Sequence, residues 1–297
     1  GDAGTISLTG NSITVDGIGS KIASASSANG AAGSVTITAH RLGVKSGGRI
    51  DTTTSLGAAG NIQIDAVTLV VENASSLVTS ATSGSANGGS LNISGTDVTL
   101  QDGGTITVTA SGAGNAGNIT LAATNNLDIL DSANIETNAI LSGGGNVNID
   151  VVNRIYLRDA SITASSEGAA VGDDGGNITI DPIFFILDNS EIVAQAQQGN
   201  GGAINLVADN FISDVSSVIS ATSELGNDGD VVITSPDNAI VGAIGVLDPA
   251  FAVDGALLNE PCAARVLIDR SSLVVDQSSQ MTPAPDDYLV VPGTSCR

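Results

Sequence analysis

The apolar residues of this chain recur on two scales. On the short scale, aliphatics sit two apart around one polar residue, as in Ile119-Thr120-Leu121. That is the period of a strand buried on one face. On the long scale, the same phrase, a glycine, a small residue and then the aliphatic pair, returns nine times, beginning at Gly4, Gly33, Gly60, Gly89, Gly117, Gly145, Gly176, Gly202 and Gly229. The intervals are 29, 27, 29, 28, 28, 31, 26 and 27 residues. A period in this range marks a solenoid, in which each unit buries its apolar face by stacking on its neighbours.

The pairs Ile6/Leu8, Val35/Ile37, Ile62/Ile64, Leu91/Ile93, Ile119/Leu121, Val147/Ile149, Ile178/Ile180, Ile204/Leu206 and Val231/Ile233 are the expected core. The residue between them is Ser, Thr, Asn or Gln in every copy except the last, which has Val232. Each period carries two further pieces. Leu42 and Val44 precede the turn Ser46-Gly47-Gly48 and then Ile50 and Thr52; Val98 and Leu100 precede Asp102-Gly103-Gly104 and then Ile106 and Val108; Ile155 and Leu157 precede Asp159 and then Ile162 and Ala164. Three short strands per turn, with Val, Ile, Thr and Ser broken by Gly and Asn, predict an all-β fold, a right-handed parallel β-helix of nine to ten coils.

Asn61, Asn118, Asn146 and Asn177 each follow the glycine of their phrase. That recurrence predicts a structural corner ladder, the asparagine either adopting a left-handed conformation or bonding the backbone of the next coil; a glycan-binding role is the alternative. The beat stops after Ser235-Pro236-Asp237, and Ala239 to Leu247 could close the stack. This divides the chain into a shaft, residues 1–246, and a capping tail, residues 247–297, which holds both cysteines, Cys262 and Cys296. A cap answers the unpaired strand edges at an open solenoid end.

Composition adjusts this picture. No Trp, two Tyr and four Phe fit a narrow interior of stacked aliphatics, while a hydrophobic content of 41% in register argues against a disordered linker. The formal charge of -22, with nine Lys and Arg along the chain, excludes the basic stripe that nucleic acid requires and disfavours anionic membranes. The acid surplus keeps a long exposed surface soluble. Weak Ca2+ binding at Gly172-Asp173-Asp174-Gly175 and Gly226-Asn227-Asp228-Gly229-Asp230 is a sharper reading, although the Gly-Gly-x-Gly-x-Asp repeat of calcium-binding β-rolls does not recur. No run of 18 apolar residues is present. The chain opens inside a repeat with no signal peptide, so it reads as the C-terminal piece of something longer.

The tail carries a more specific likeness. Ser235-Pro236-Asp237 through Leu247, Cys262-Ala263-Ala264-Arg265, Ser271-Ser272-Leu273-Val274-Val275 and Pro283-Ala284-Pro285-Asp286-Asp287-Tyr288-Leu289 resemble the C-terminal end of filamentous-haemagglutinin-like exoproteins of bacterial two-partner secretion systems. The repeats are similar to the β-helical shaft of the same family. The resemblance implies an adhesin, secreted or tethered at the surface of a Gram-negative-type bacterium, acting in cell adhesion or biofilm formation without catalysis or cofactor. Its implied partners are an outer-membrane transporter and a host-cell or biofilm receptor, glycan or protein. In some members a C-terminal cysteine pair hooks the protein in its transporter; here the two cysteines are 34 residues apart. In a secreted chain such a pair is expected to form a disulfide, Cys262 to Cys296.

Two other classes remain. Parallel β-helices also carry polysaccharide lyases and hydrolases, which need carboxylates, or a carboxylate with Arg or Lys, on one face of adjacent coils. Arg41, Lys45 and Arg49 share a coil, and Asp65 lies in the next. An ice- or glycan-binding flat face would need ungapped Thr ladders, whereas Thr36, Thr120 and Thr179 alternate with Gln, Asn and Ser at their position. No Gly-x-Ser-x-Gly elbow, metal-ligand cluster or phosphate-cradling loop is present in the sequence.

Overall fold

The described part of the computed structural model comprises residues 1–27 and 29–236. Within these residues the chain is an all-β solenoid of parallel strands, with no helix. Turn one contains β1 (Ile6–Asp16) and β2 (Lys21–Ala23), and turn two β3 (Val35–Lys45) and β4 (Arg49–Thr54). Turns three to five contain β5 (Ile62–Glu72) and β6 (Leu77–Thr82), β7 (Leu91–Gln101) and β8 (Thr105–Ala110), and β9 (Ile119–Leu130) and β10 (Asn134–Ala139). Turn six contains β11 (Val147–Arg158) and β12 (Ser161–Ser166), and turn seven β13 (Ile178–Asp188) and β14 (Glu191–Val193). Turn eight has β15 (Ile204–Val207), β16 (Asn210–Ser213) and β17 (Val218–Ser220), and β18 (Val231–Thr234) opens a ninth.

Two parallel sheets result. One runs β1-β3-β5-β7-β9-β11-β13-β15-β18, with β16 also paired to β13, and the other runs β2-β4-β6-β8-β10-β12-β14-β17. The phrases stack in register: Ile62 lies between Val35 and Leu91, and Ile119 between Leu91 and Val147. These residues are fully buried, as are the second-segment pairs Leu69/Val71, Leu127/Ile129 and Ile155/Leu157 and the third-segment residues Ile50, Ile106, Ile135 and Ile162. Aliphatic ladders therefore fill the interior, as the alternation predicted.

The structure corrects the sequence expectation in two places. The first and second of the three expected strands are one continuous bent strand in turns one to seven, and separate only in turn eight as β15 and β16. The bend needs no break, because two successive outward residues, His40 and Arg41 in β3, shift the phase of the alternation while the ladder continues. Longer bends occur in β9 and β11, each 12 residues, which pair with each other without a slip, while the register shifts where they meet their 11-residue neighbours, at Gly95/Asp97 between β7 and β9 and at Val151/Arg154 between β11 and β13. Such an extra residue is a bulge, which turns a strand without ending it. The second correction concerns Val231 and Ile233, expected in the core but 40% and 38% exposed. They lie on the last described strand, where no further described turn covers them.

The phrase glycine has a steric cause. At Gly145 a Cβ would lie 2.0 Å from the Gly117 carbonyl oxygen, and at Gly117 it would lie 2.3 Å from that of Gly89. Successive turns thus approach backbone to backbone at this corner, and only a residue without Cβ fits. The opposite wall of the same corner is polar. Thr52 Oγ1 donates to the Gly60 carbonyl at 2.6 Å, and Thr137 Oγ1 to that of Gly145 at 2.7 Å, both hydroxyls being buried. Ser80 both donates to Gly60 (2.9 Å) and accepts from the Gly89 N–H (3.1 Å). Where the position becomes Ala164 or Ala194, the glycine N–H bonds the alanine carbonyl instead (Gly176 at 3.2 Å, Gly202 at 3.0 Å). In these turns a buried polar group of the glycine thereby keeps a partner, as buried backbone groups must.

Candidate functional site

Every described outward column was open to a functional role, and most turn out to be structural. The predicted asparagines form a ladder from turn to turn. Asn61 Oδ1 accepts from the Ser90 N–H at 2.8 Å, Asn118 from Asn146 at 2.9 Å, Asn146 from Asn177 at 2.9 Å, and Asn177 from Ala203 at 2.8 Å. None of the four has a positive φ, so of the two structural alternatives it is the bond to the next coil that is realised. A second ladder, absent from the sequence reading, stands two residues before six of the nine phrase glycines. Asn87 accepts from the Asn115 N–H (3.0 Å), Asp174 from Asn200 (2.7 Å) and Asn200 from Asn227 (3.3 Å). Aligning the chain on its phrases would have exposed it, since Asp2, Asn87, Asn115, Asp174, Asn200 and Asn227 then share one position.

The acidic corners also hold main chain. Asp173 Oδ2 accepts from the Ala170 N–H at 2.9 Å, Asp228 Oδ1 from the Ser223 N–H at 2.9 Å, and Asp174 belongs to the second ladder. Among the described residues no three His, Cys, Asp or Glu side chains converge as a metal site would require. Asp214 closes its own turn: the Ser217 hydroxyl, then the main-chain N–H groups of Asn189 and Ser216, stabilise its carboxylate and lower its pKa to about 2.

Arg41, Lys45 and Arg49 do not converge. Arg41 is at the bend of β3 beside Thr68, Lys45 ends that strand 3.6 Å from Asp16, and Arg49 begins β4, 3.9 Å from Asp51. Asp65 pairs in register with Thr38 and accepts from Gln63 Nε2 at 3.0 Å. The threonine position expected to break as a ladder does so in register, Thr36 lying beside Gln63 and Thr120 between Asn92 and Asn148. Cys262 and Cys296, with the whole tail 247–297, lie outside the described residues.

One surface concentrates different chemistry, the outward side of the second segment in turns five to eight. Arg154 Nη2 donates to Asp128 Oδ1 at 2.7 Å, and Arg158 Nη2 to both oxygens of Asp131 at 2.8 Å, each pair joining adjacent turns. The Asp131 carboxylate holds the Arg158 guanidinium charged by raising its pKa. Tyr156 stands between the two arginines, its hydroxyl donating to Asp188 Oδ2 at 3.3 Å and its ring 5.9 Å from the Arg154 guanidinium. Arg154 Nε is buried and has no partner among the described residues. The strand register places Phe184 beside Arg154, and Ile186 and Ile212 in the Tyr156 column. Phe184 is 41% exposed although its neighbour Phe185 is buried, stacked 5.6 Å from Phe211.

All four aromatic residues of the described chain, Tyr156, Phe184, Phe185 and Phe211, are in this region. Composition gives the number of rings and not their position, and Arg154 and Arg158 stand in no motif that singles them out. Their clustering is visible in the sequence; their shared face depends on the register in which β11 pairs with β9 and β13. No protein-family model, curated protein or solved structure that was compared matches this chain.

Proposed function

We propose that the chain is the C-terminal part of a filamentous-haemagglutinin-like exoprotein of a two-partner secretion system, working as an adhesive shaft without catalysis. It is delivered by an outer-membrane transporter to the surface or medium of a Gram-negative-type bacterium and engages a glycan or protein receptor in adhesion or biofilm formation. The observation that carries this reading is the turn-by-turn stack. Every turn bonds the one before it at 26 to 31 residues' distance, so each can fold on its predecessor as the chain emerges from a transporter. Side chains at the two asparagine positions and the acidic corners serve that stack, and the second-segment patch, which adds the exposed Phe184 to its inter-turn ion pairs, supports recognition there. The tail resemblance supplies the family.

The experiment has two arms. A transporter gene of the two-partner type beside this one, together with reduced adhesion or biofilm in a deletion strain, agrees with the reading; normal adhesion and biofilm in that strain refute it. For the tail, a Cys262–Cys296 bond predicts that neither thiol is alkylated in the native, unreduced protein. Should Cys296→Ser shed a folded protein into the medium, the closed tail is an anchor, and retention at the surface leaves it as a cap.

A second reading is favoured by one observation. Arg154/Asp128 and Arg158/Asp131 place carboxylates and guanidinium groups on one face of adjacent turns, the arrangement a polysaccharide lyase or hydrolase needs. Release of reducing or unsaturated ends from acidic or neutral polysaccharides by the purified chain would establish it.

A further inference from the structure

We infer that the outward face of the second segment in turns five to eight is a binding platform for neutral oligosaccharides, with Tyr156 and Phe184 as its stacking residues. The inference rests on the adhesin reading and deepens it by naming the ligand class and the place of contact.

Three observations converge here. The first is the placement of rings. Two of the few aromatics stand as diagonal neighbours on the outward side of adjacent turns, Phe184 exposed and Tyr156 half-buried, about 8 Å apart by strand spacing and residue rise. Phe185 and Phe211 have a packing role, since they fill the interior; Phe184 fills nothing and remains exposed. Ile183 and Ile212, both 39% exposed, and Val152 at 56% extend the apolar area around the rings. Exposed apolar area of this kind on a polar-out shaft is characteristic of a binding surface. The C–H faces of a sugar ring are the apolar partner that flat side chains accept, while its edge keeps hydroxyls for hydrogen bonds.

The second is the rim. A sugar hydroxyl both donates and accepts, so it is best met by a carboxylate beside a guanidinium. The platform has that combination at Asp128 with Arg154 and at Asp131 with Arg158, and Asp188 holds the Tyr156 hydroxyl in place. The arginines have spare N–H donors beyond those bonded to aspartate.

The third is charge. Both arginines are matched by aspartates on adjacent turns, so the patch offers no surplus positive charge, and the chain as a whole carries -22. A sulfated or carboxylated glycan would therefore be repelled. A neutral one loses nothing by that field.

The test uses the purified 297-residue chain on immobilised neutral oligosaccharides built of glucose, galactose, mannose and N-acetylhexosamines, with sulfated and sialylated probes alongside. Tyr156→Ala and Phe184→Ala are compared with Thr179→Ala, an exposed change on the first segment, and melting curves confirm that all three fold. The expected result is binding to a subset of the neutral probes that falls about tenfold or more in the two ring variants and stays at the wild-type level in the third. Neutral binding unchanged in both ring variants overturns the platform. So does binding restricted to anionic probes, or no glycan binding by the wild type. In each of these cases adhesion by cells carrying the wild-type protein would leave the adhesin reading standing. Ring-dependent glycan binding without any contribution to cell adhesion would keep the platform and remove the adhesin reading.

Discussion

Asn118 Oδ1 accepts a hydrogen bond at 2.9 Å from the main-chain N–H of Asn146, 28 residues later, and Asn146 does the same for Asn177. The exposed corner is thus bonded by side chains in series. Replacing Asn118 with Ala removes one link and leaves an amide that water can reach. The expected loss is about 0.5 to 1.5 kcal/mol, read as a lowered midpoint in urea unfolding. Adhesion lost at wild-type stability would instead assign these asparagines to ligand binding.

Gly145→Ala is expected to be far more damaging. Its Cβ would sit 2.0 Å from the Gly117 carbonyl oxygen, and backbone cannot swing aside as a side chain can. The two turns must separate, at a cost above about 3 kcal/mol, the upper end for overpacked cores. Soluble yield and melting temperature should both fall; wild-type melting would show that the turns are further apart.

Ile119→Asp tests the interior. Ile119 is fully buried between Leu91 and Val147, and no cation faces it from those ladder partners. An ionised carboxylate there costs several kcal/mol, so the variant should be unfolded at neutral pH, with partial recovery in acid as the group takes up a proton. Circular dichroism at two pH values decides it.

Glu136 lies on the outward side of β10, half-buried, and burial first, then the Glu167 carboxylate, raises its pKa above the ordinary 4.5. The folded state therefore holds this proton to higher pH than the unfolded state does. Its contribution to stability is fully present below about pH 4.5 and is lost as pH rises through the folded-state value. Glu136→Gln should raise the melting temperature at pH 7, with the difference shrinking towards pH 4. An equal difference at both pH values would show that the carboxyl is not proton-linked to folding.

The sequence by itself determined the solenoid. Alternation fixes which face of a strand is buried, and Val35, Ile62, Leu91 and Ile119 repeat it at one period, so neighbouring turns can only stack like on like. It also singled out Asn61, Asn118, Asn146 and Asn177, because a side chain that bonds the next turn must recur with the turn. What the tertiary structure decided is everything that depends on offsets between turns. The bends in β9 and β11 absorb an extra residue, so Arg154 falls beside Phe184, Tyr156 beside Asp128, and Arg158 within reach of Asp131. Arg41, Lys45 and Arg49, close in sequence, are dispersed because Arg41 and Lys45 stand at opposite ends of the second segment of β3 and Arg49 begins β4 beyond the next turn. Periodicity is a local property that every copy of the phrase restates, whereas the meeting of unlike outward residues depends on the single register that the packed interior selects.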